Sequence, residues 1–582
     1  MATKKTNQTE AIVSLIPESE SIARPRLTKL IVKNFRTIGT TPVEIELDDI
    51  VVLVGENNTG KSSILRAYEA SMNTGSNEGK LAIDDFPNAQ VNIDTLHEVE
   101  VHTVLSENKP GKQWIENTQN GEMLIKERWI WSSPNSNPKR QGFNVEDNEW
   151  SDSVPWGAPN VANAYRPKPH SIGAFASPDK QAEEITKIIT SIITDKLKSF
   201  KSDLNQTDKT DYEILLDEIL NFQSKALIAS KEEVEKIENS ISNYLNKVFR
   251  NYVIKLDTRP EDGVDKTYSP FKDAPILRMG PSDGYMSTIS TQGSGARRTL
   301  LWTALKYISE RGQSLSERPH VLLLDEPEIC LHPSAIRDAR KVLYDLPMTG
   351  NWQVMVTTHS PVFIDLSYDN TTIIRVDRGS NNEIKSTTLY RPVTVNLSQD
   401  EKENLKLLNA CDTYLHEFFF GGRIIVVEGD TEYTAFSLLK MLFSEEYGNV
   451  HIIRARGKGT IPTVIKILNQ FTCDYAVLHD SDVPLASSGK TNPAWTINQS
   501  IKDEIERNGN KENIRLIACK TNFESALFGL EITKEKPYHA FEKIKSDESN
   551  IKIARQLLDA LLDARAIPPP NCIKWTNIDE LQ

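Results

Sequence analysis

Two groups of residues have the types and spacing that chemistry on phosphates requires. The first is Gly55-Glu56-Asn57-Asn58-Thr59-Gly60-Lys61-Ser62, a GxxxxGK[ST] run that directly follows the apolar Ile50-Val51-Val52-Leu53-Val54. Glycines let successive backbone N–H groups converge on phosphate oxygens, a lysine adds charge, and a hydroxyl helps to hold Mg²⁺. Gly55, Gly60, Lys61 and Ser62 are those parts here. A later apolar run, residues 321–324, delivers Asp325 and Glu326. At a strand end, Asp325 can support the metal and Glu326 can polarise water. His359 follows another such run, residues 353–357, and could sense a γ-phosphate.

The second group is acidic. Residues 424–427 lead into Glu428-Gly429-Asp430-Thr431-Glu432, and residues 476–478 lead to Asp480-Ser481-Asp482. Carboxylates at strand ends hold hard divalent cations through oxygen. Two such ions about 4 Å apart activate water and stabilise the leaving oxygen of a phosphodiester. Glu432 lies one helical turn beyond Glu428. If the DxD is extended, Asp480 and Asp482 point the same way and reach one ion. An EGxxE alone is usually surface decoration; with a DxD after a neighbouring strand it is a stronger set.

The elements that must position these residues can be read from periodicity. Residues 30–32, 43–47, 50–54 and 99–104 read as strands, the third buried on both faces. Residues 62–70 read as the helix beginning at the phosphate loop. Strands return at 321–324 and 353–357, with 373–376 expected at a sheet edge. A second strand–helix alternation starts at Ile424. Between these parts the pattern changes. Residues 132–180 are rich in Ser, Pro and Asn, yet five of the nine Trp lie between 114 and 156, so the region is folded. Ile185, Ile188, Ile189, Ile192, Ile193 and Leu197 fall at helical spacing, as do Val234, Ile237, Ile241, Leu245 and Val248. They suggest a helical hairpin or dimer surface, or ordinary core. The expected organisation is a loose tail over 1–24, a nucleotide-binding domain in two parts (25–107 and 275–390), a partly helical insertion over 108–274, a connector with a helix over 391–420, and an acidic α/β domain over 421–582.

Composition narrows the classes. The hydrophobic share of 38% and charged share of 26% are those of a globular chain. No apolar stretch reaches membrane-spanning length, and the first residues lack a secretory core, so a cytoplasmic location is expected. Five scattered cysteines without a CxxC pair argue against a zinc site or disulfide framework. The net charge is −13, and most of it lies before residue 421: 48 Lys/Arg against 59 Asp/Glu there, 20 against 22 after it. No broad basic surface is evident. His451, Arg454, Arg456 and Lys458 could touch phosphates or form a solvated loop.

With these motifs assembled, the N-terminal part resembles ABC-type ATPases of the SMC/RecF kind. Ile31-Val32-Lys33-Asn34-Phe35-Arg36 resembles their opening strand and turn, and Glu326-Pro327-Glu328-Ile329-Cys330-Leu331-His332-Pro333 their EPExxLHP segment. Gln292-Gly293-Ser294-Gly295-Ala296-Arg297-Arg298 stands where their signature loop belongs, departing from LSGGQ; read plainly it is a flexible basic turn. The resemblance implies ATP contacts from Asn34, Arg36, Asn57, Asn58 and Ser63 besides the phosphate-loop residues. It also implies a homodimer in which Ser294 and Gly295 close over the partner's ATP.

The C-terminal part resembles a Toprim domain, and the pairing resembles the OLD (overcoming lysogenization defect) family. Its members are metal-dependent nickases or nucleases, many in anti-phage defence, including Gabija-type systems and retron effectors. The resemblance implies metal ligation by Glu428, Glu432, Asp480, Asp482 and Glu524, with Mg²⁺ as the ion and Mn²⁺ or Ca²⁺ as substitutes. It further implies a catalytic lysine near the scissile phosphate, for which Lys552 is preferred over Lys543 and Lys545. The expected activity is ATP-regulated DNA cleavage. A DNA-repair clamp with a non-catalytic acidic domain, or RNA cleavage at the same acids, stays open. A reverse transcriptase with noncoding nucleic acid, or a helicase, is a conceivable partner.

Overall fold

The computed structural model describes residues 25–105, 110–157, 162, 165–173, 177–198, 234–257, 276–311, 319–391, 398–403 and 415–582, apart from short breaks at 119, 248, 250, 350, 367, 369, 380–382, 421, 471–473, 487, 510 and 530–533. The expected N-terminal tail, most of the connector, Val248, and the side chains of Ile192, Ile193 and Leu197 lie outside the described residues.

Every residue of Ile50–Val54 is buried, which suits a central strand covered on both faces. It pairs in parallel with Trp352–Thr357 on one side and Thr371–Arg378 on the other. The sheet runs in the order Ile384–Tyr390, Thr371–Arg378, Ile50–Val54, Trp352–Thr357, His320–Asp325, Lys168–Ile172. Because the central strands share one direction, their C-terminal ends deliver the phosphate loop, Asp325-Glu326 and Thr358-His359 to one edge. The strand expected at the sheet's edge is internal: Ile384–Tyr390 pairs antiparallel with its outer side.

A second, antiparallel sheet is ordered Val43–Glu46, Arg26–Lys33, His97–Leu105, Met123–Trp131, Lys139–Asn144, Glu149–Ser151. The segment expected to be a partly helical insertion from residue 108 therefore opens with strands. Lys168–Ile172, also inside that range, completes the first sheet beside His320–Asp325. The reason lies in Met123–Trp131, whose buried residues are Ile125, Glu127, Trp129 and Trp131. An inward glutamate breaks the apolar alternation. Arg166 grips Glu127 at 2.6 and 2.9 Å, and Arg140 Nε adds a bond at 2.9 Å. Burial alone would push that carboxyl up; the two guanidiniums override it and hold it below the ordinary range.

Among the described residues both helical stripes face inward, as ordinary core packing. Ile185, Ile188 and Ile189 on Pro178–Lys198 share one buried core with Val234, Ile237, Ile241 and Leu245. Ile254, Leu277, Leu300 and Leu301 complete that packing.

The C-terminal sheet is ordered Val450–Arg454, Arg423–Val427, Tyr475–Asp480, Arg515–Cys519, Cys572–Lys574, parallel except for the last strand. Ile424 and Val426 pack into one core and Ile425 and Val427 into another, so the central strand is covered on both faces. Cys519 and Cys572, far apart in sequence, are register partners with free thiols 3.7 Å apart. No helix of the described residues is long and apolar enough to cross a membrane.

Candidate active site

Helix Lys61–Met72 starts on the phosphate loop, leaving its first N–H groups to face any ligand there. Gly55 has φ 136°, and a Cβ on it would lie 2.2 Å from the Val376 carbonyl oxygen, so glycine is required twice over. Lys61 is buried and its Nζ donates to the carbonyls of Gly55 (3.0 Å) and Glu56 (2.5 Å). Burial pulls its ammonium below the usual lysine value, opposed by Glu326 and Asp325. Ser62 Oγ donates to Asp325 Oδ1 at 2.8 Å, joining the two halves of the expected magnesium support. Thr357 Oγ1 donates to the same oxygen at 2.6 Å.

Glu326 adopts φ 46°, its amide pinned to Thr357. Its Oε1 lies 3.5 Å from His359 Nε2. Burial, then the nearby Lys61 charge, holds the histidine below its usual value. Sequence reasoning gave Glu328 no role. Its carboxylate accepts from Thr358 Oγ1 (2.8 Å) and His359 N (2.7 Å), fixing the loop that carries the histidine. On its other side the His359 ring stacks on Phe420, centroids 6.3 Å apart, beside the fully buried Phe419.

The remaining nucleotide candidates are less uniform. Asn57 and Asn58 are exposed on the loop and Ser63 is buried behind it. Asn34 and Arg36 both have left-handed backbones, and their side chains bind protein: Asn34 Nδ2 to the Leu96 carbonyl (3.1 Å), Arg36 Nε to Asp85 (2.8 Å). Ser294 and Gly295 open helix Ser294–Arg311 against Cys330. Their neighbours are not a loose basic turn. Arg297 is buried on Gln181, and Arg298 Nη1 donates to the Glu326 carbonyl at 3.3 Å.

In the C-terminal sheet, Glu428 follows Arg423–Val427 and Asp480 ends Tyr475–Asp480, its amide donating to Glu428 Oε2 at 3.2 Å. Glu432 sits in the first turn of Asp430–Leu442, where Oε2 accepts from Gly429 N at 3.0 Å. Glu524 is buried in the first turn of Phe523–Phe528. Burial raises all three of Glu428, Glu432 and Asp480: Glu432 to about 7, Asp480 well above the carboxylate range. The charges of Glu432, Glu428, Glu524 and Asp482 all push Asp480 further. Asp480 Oδ1 is buried with no hydrogen-bond partner. Like charges crowded in a low dielectric are unfavourable until protons or cations arrive.

Among the described residues, no three His, Cys, Asp or Glu side chains converge into a ready-made metal cage. Two ammonium groups take oxygens that a cation would use: Lys458 holds Asp482 Oδ2 at 2.5 Å and Lys536 holds Glu524 Oε2 at 3.1 Å. Asp482 has φ 59°, so the DxD is bent and the same-face expectation for an extended strand does not apply. The donor set nonetheless fits a hard divalent ion, being all oxygen with one buried oxygen unpartnered. Lys552, Lys543 and Lys545 are exposed on their helices. Lys536 is the lysine brought to Glu524, and nothing in its spacing marked it. The basic cluster divides: Arg454 and Arg456 pair with Asp430 (3.2 and 3.4 Å), His451 lies 3.7 Å from Glu417, and Lys458 turns inward.

Residues 26–109 and 174–364 match the family described as AAA ATPase domain. Residues 419–482 match the overcoming lysogenization defect protein-like TOPRIM domain. An AAA ATPase domain and an OLD-like TOPRIM domain share this chain. Together they imply use of nucleotide and divalent metal. The TOPRIM match contains Glu428, Glu432, Asp480 and Asp482 and stops before Glu524 and Lys536. Old nuclease of Escherichia phage P2 is 24% identical over 484 residues, 78% of this chain and 77% of its own length. OLD nuclease of Thermus scotoductus is 23% identical over 546 residues, 89% of this chain and 95% of its own length. Among solved structures, an SMC head bound to the C-winged helix domain of ScpA covers 64% of this chain and 99% of its own at 15% identity, with a TM-score of 0.39.

Proposed function

We propose that the protein is an ATP-regulated, divalent-metal-dependent DNA endonuclease that nicks or cuts phosphodiester backbones at its TOPRIM domain. One observation carries this reading: the unpartnered Asp480 Oδ1 among carboxyls that burial first, and then their mutual charge, push upward, Asp480 and Glu432 most of all. Such a site is electrostatically incomplete without a cation. Glu428, Glu432 and Asp480, joined by Asp482 and Glu524, would hold Mg²⁺ or Mn²⁺. Bound there, a divalent cation supplies a more acidic water and neutralises charge on the leaving oxygen.

The chain's own residues do the rest. Asp480 N and Gly429 N orient the Glu428 and Glu432 carboxylates by the bonds described above. Lys536 lends positive charge beside Glu524, where a backbone phosphate can be held. At the other site, Ser62 and Asp325 take magnesium–ATP, Glu326 polarises water, and neutral His359 faces the γ-phosphate. Ser294 and Gly295 would complete the site of a partner copy. ATP then governs cleavage by binding open and closed arrangements with different affinity. In cells the activity would act against phage DNA.

Supercoiled plasmid incubated with Mg²⁺ or Mn²⁺, with and without ATP, tests the chemistry. Glu428→Ala should abolish nicking and leave ATP binding intact; nicking retained by that variant refutes the assignment. Plaque counts on cells carrying wild type or Glu428→Ala test the defensive role.

A further inference from the structure

Lys458 opens the turn Lys458–Thr460, where strand Val450–Arg454 hands over to helix Ile461–Leu468. Its side chain is 4% exposed. Lysines are almost never buried this far unless paired. Its ammonium meets Asp482 Oδ2 at 2.5 Å and the carbonyls of Asp480 and Ser481 at 2.6 and 3.5 Å. Three donors thus meet three successive residues of the acidic turn. The turn is held from other sides as well: Asn498 Nδ2 donates to the Ser481 carbonyl at 2.9 Å, and Thr521 N donates to Ser481 Oγ at 2.9 Å. Asn498 is fully buried, so this packing is fixed. The backbone of the turn therefore does not depend on Lys458 alone, whereas the charge balance of Asp482 does.

We propose that Lys458 is an internal counter-ion that stands at Asp482 in place of a divalent cation and competes with it. The inference rests on the metal-site reading above and adds how that site is kept from holding metal too tightly. A dication that takes Asp482 shares the carboxylate with an ammonium within hydrogen-bonding distance, and the two positive charges repel. The bonds from Lys458 to the Asp480 and Ser481 carbonyls keep the ammonium in place while this happens. The lysine is thus a positioning and tuning residue; it takes no proton and touches no reacting atom.

Mn²⁺ binding to the full chain without nucleic acid, followed by the loss of the free-ion electron paramagnetic resonance signal, tests this. Lys458→Met keeps the stem and removes the charge, so the Mn²⁺ dissociation constant should fall by about tenfold or more. A merely structural lysine would give the opposite, weaker binding together with a lower melting temperature. In case Lys458→Met does not fold, Asp482→Asn is compared with the Lys458→Met, Asp482→Asn double variant, in which both charges of the pair are gone. The double variant should again bind Mn²⁺ more tightly than the single one. Unchanged or weaker binding in either comparison overturns the counter-ion role. A wild-type chain that binds no Mn²⁺ overturns the metal-site reading along with it.

Discussion

Glu432→Gln should stabilise the metal-free protein, and only above acid pH. The residue is 5% exposed and its carboxyl is pushed up from 4.5 to about 7, first by burial and then by Glu428 and Glu524. Between those two values the folded chain keeps a proton that the unfolded chain has lost. Stability therefore falls as pH rises, by about 1.4 kcal/mol per pH unit, to a total penalty of about 3 kcal/mol above pH 7. Below pH 4.5 the penalty is absent, because both states are protonated. Glutamine carries no charge, and its amide oxygen can still accept from Gly429 N. At roughly 2–4 °C per kcal/mol for a unit of this size, the variant should melt about 6–12 °C higher than wild type at pH 8 and level with it near pH 4.5. The assay is a melting series across that range in chelator, with tryptophan fluorescence as the probe. Saturating Mn²⁺ should shrink or reverse the difference, because wild type gains a ligand that the variant lacks. Parallel melting curves for the two proteins across the pH range would refute the reasoning.

Glu326→Gln should slow ATP hydrolysis by about 10²–10⁴-fold and leave ATP affinity nearly unchanged, as measured by phosphate release and nucleotide binding. Gly55→Ala forces a Cβ to within 2.2 Å of the Val376 carbonyl at a positive φ, so ATP binding should be lost and melting lowered. Lys536→Ala should reduce plasmid nicking by about tenfold or more, whereas exposed Lys552→Ala should stay within about twofold, as read by single-turnover cleavage.

Both sites were legible to the extent that each is built at the ends of apolar strands. Ile50–Val54 and residues 424–427 carry their own signal: every residue is apolar, and the functional group follows at once. Glu428, Asp480, Asp325 and Ser62 are found wherever such a strand ends. Legibility fails where a residue's role depends on a distant partner. Glu127 looks like an interruption in a strand because Arg166, 39 residues later, is what makes it tolerable inside. Lys458 stands out only as one of a basic cluster, and Lys536 carries no local pattern; each is defined by a carboxylate 24 or 12 positions away. The bent Asp480-Ser481-Asp482 turn was missed for a related reason. Its left-handed Asp482 is imposed by bonds from Asn498, Thr521 and Lys458, none of which its own three residues announce.

The ring of Phe420 gives His359 a neighbour from the segment that leads into the C-terminal sheet. From that ring the polypeptide runs eight positions to Glu428, most of it as the extended segment Arg423–Val427, a rod about 17 Å long. His359 stacks on Phe420, three residues before this strand begins, and Glu428 follows the strand directly. Glu428 thus follows, eight residues on, the aromatic ring on which the His359 imidazole stacks, so the two ends of the chemistry read from the sequence lie close together along the chain.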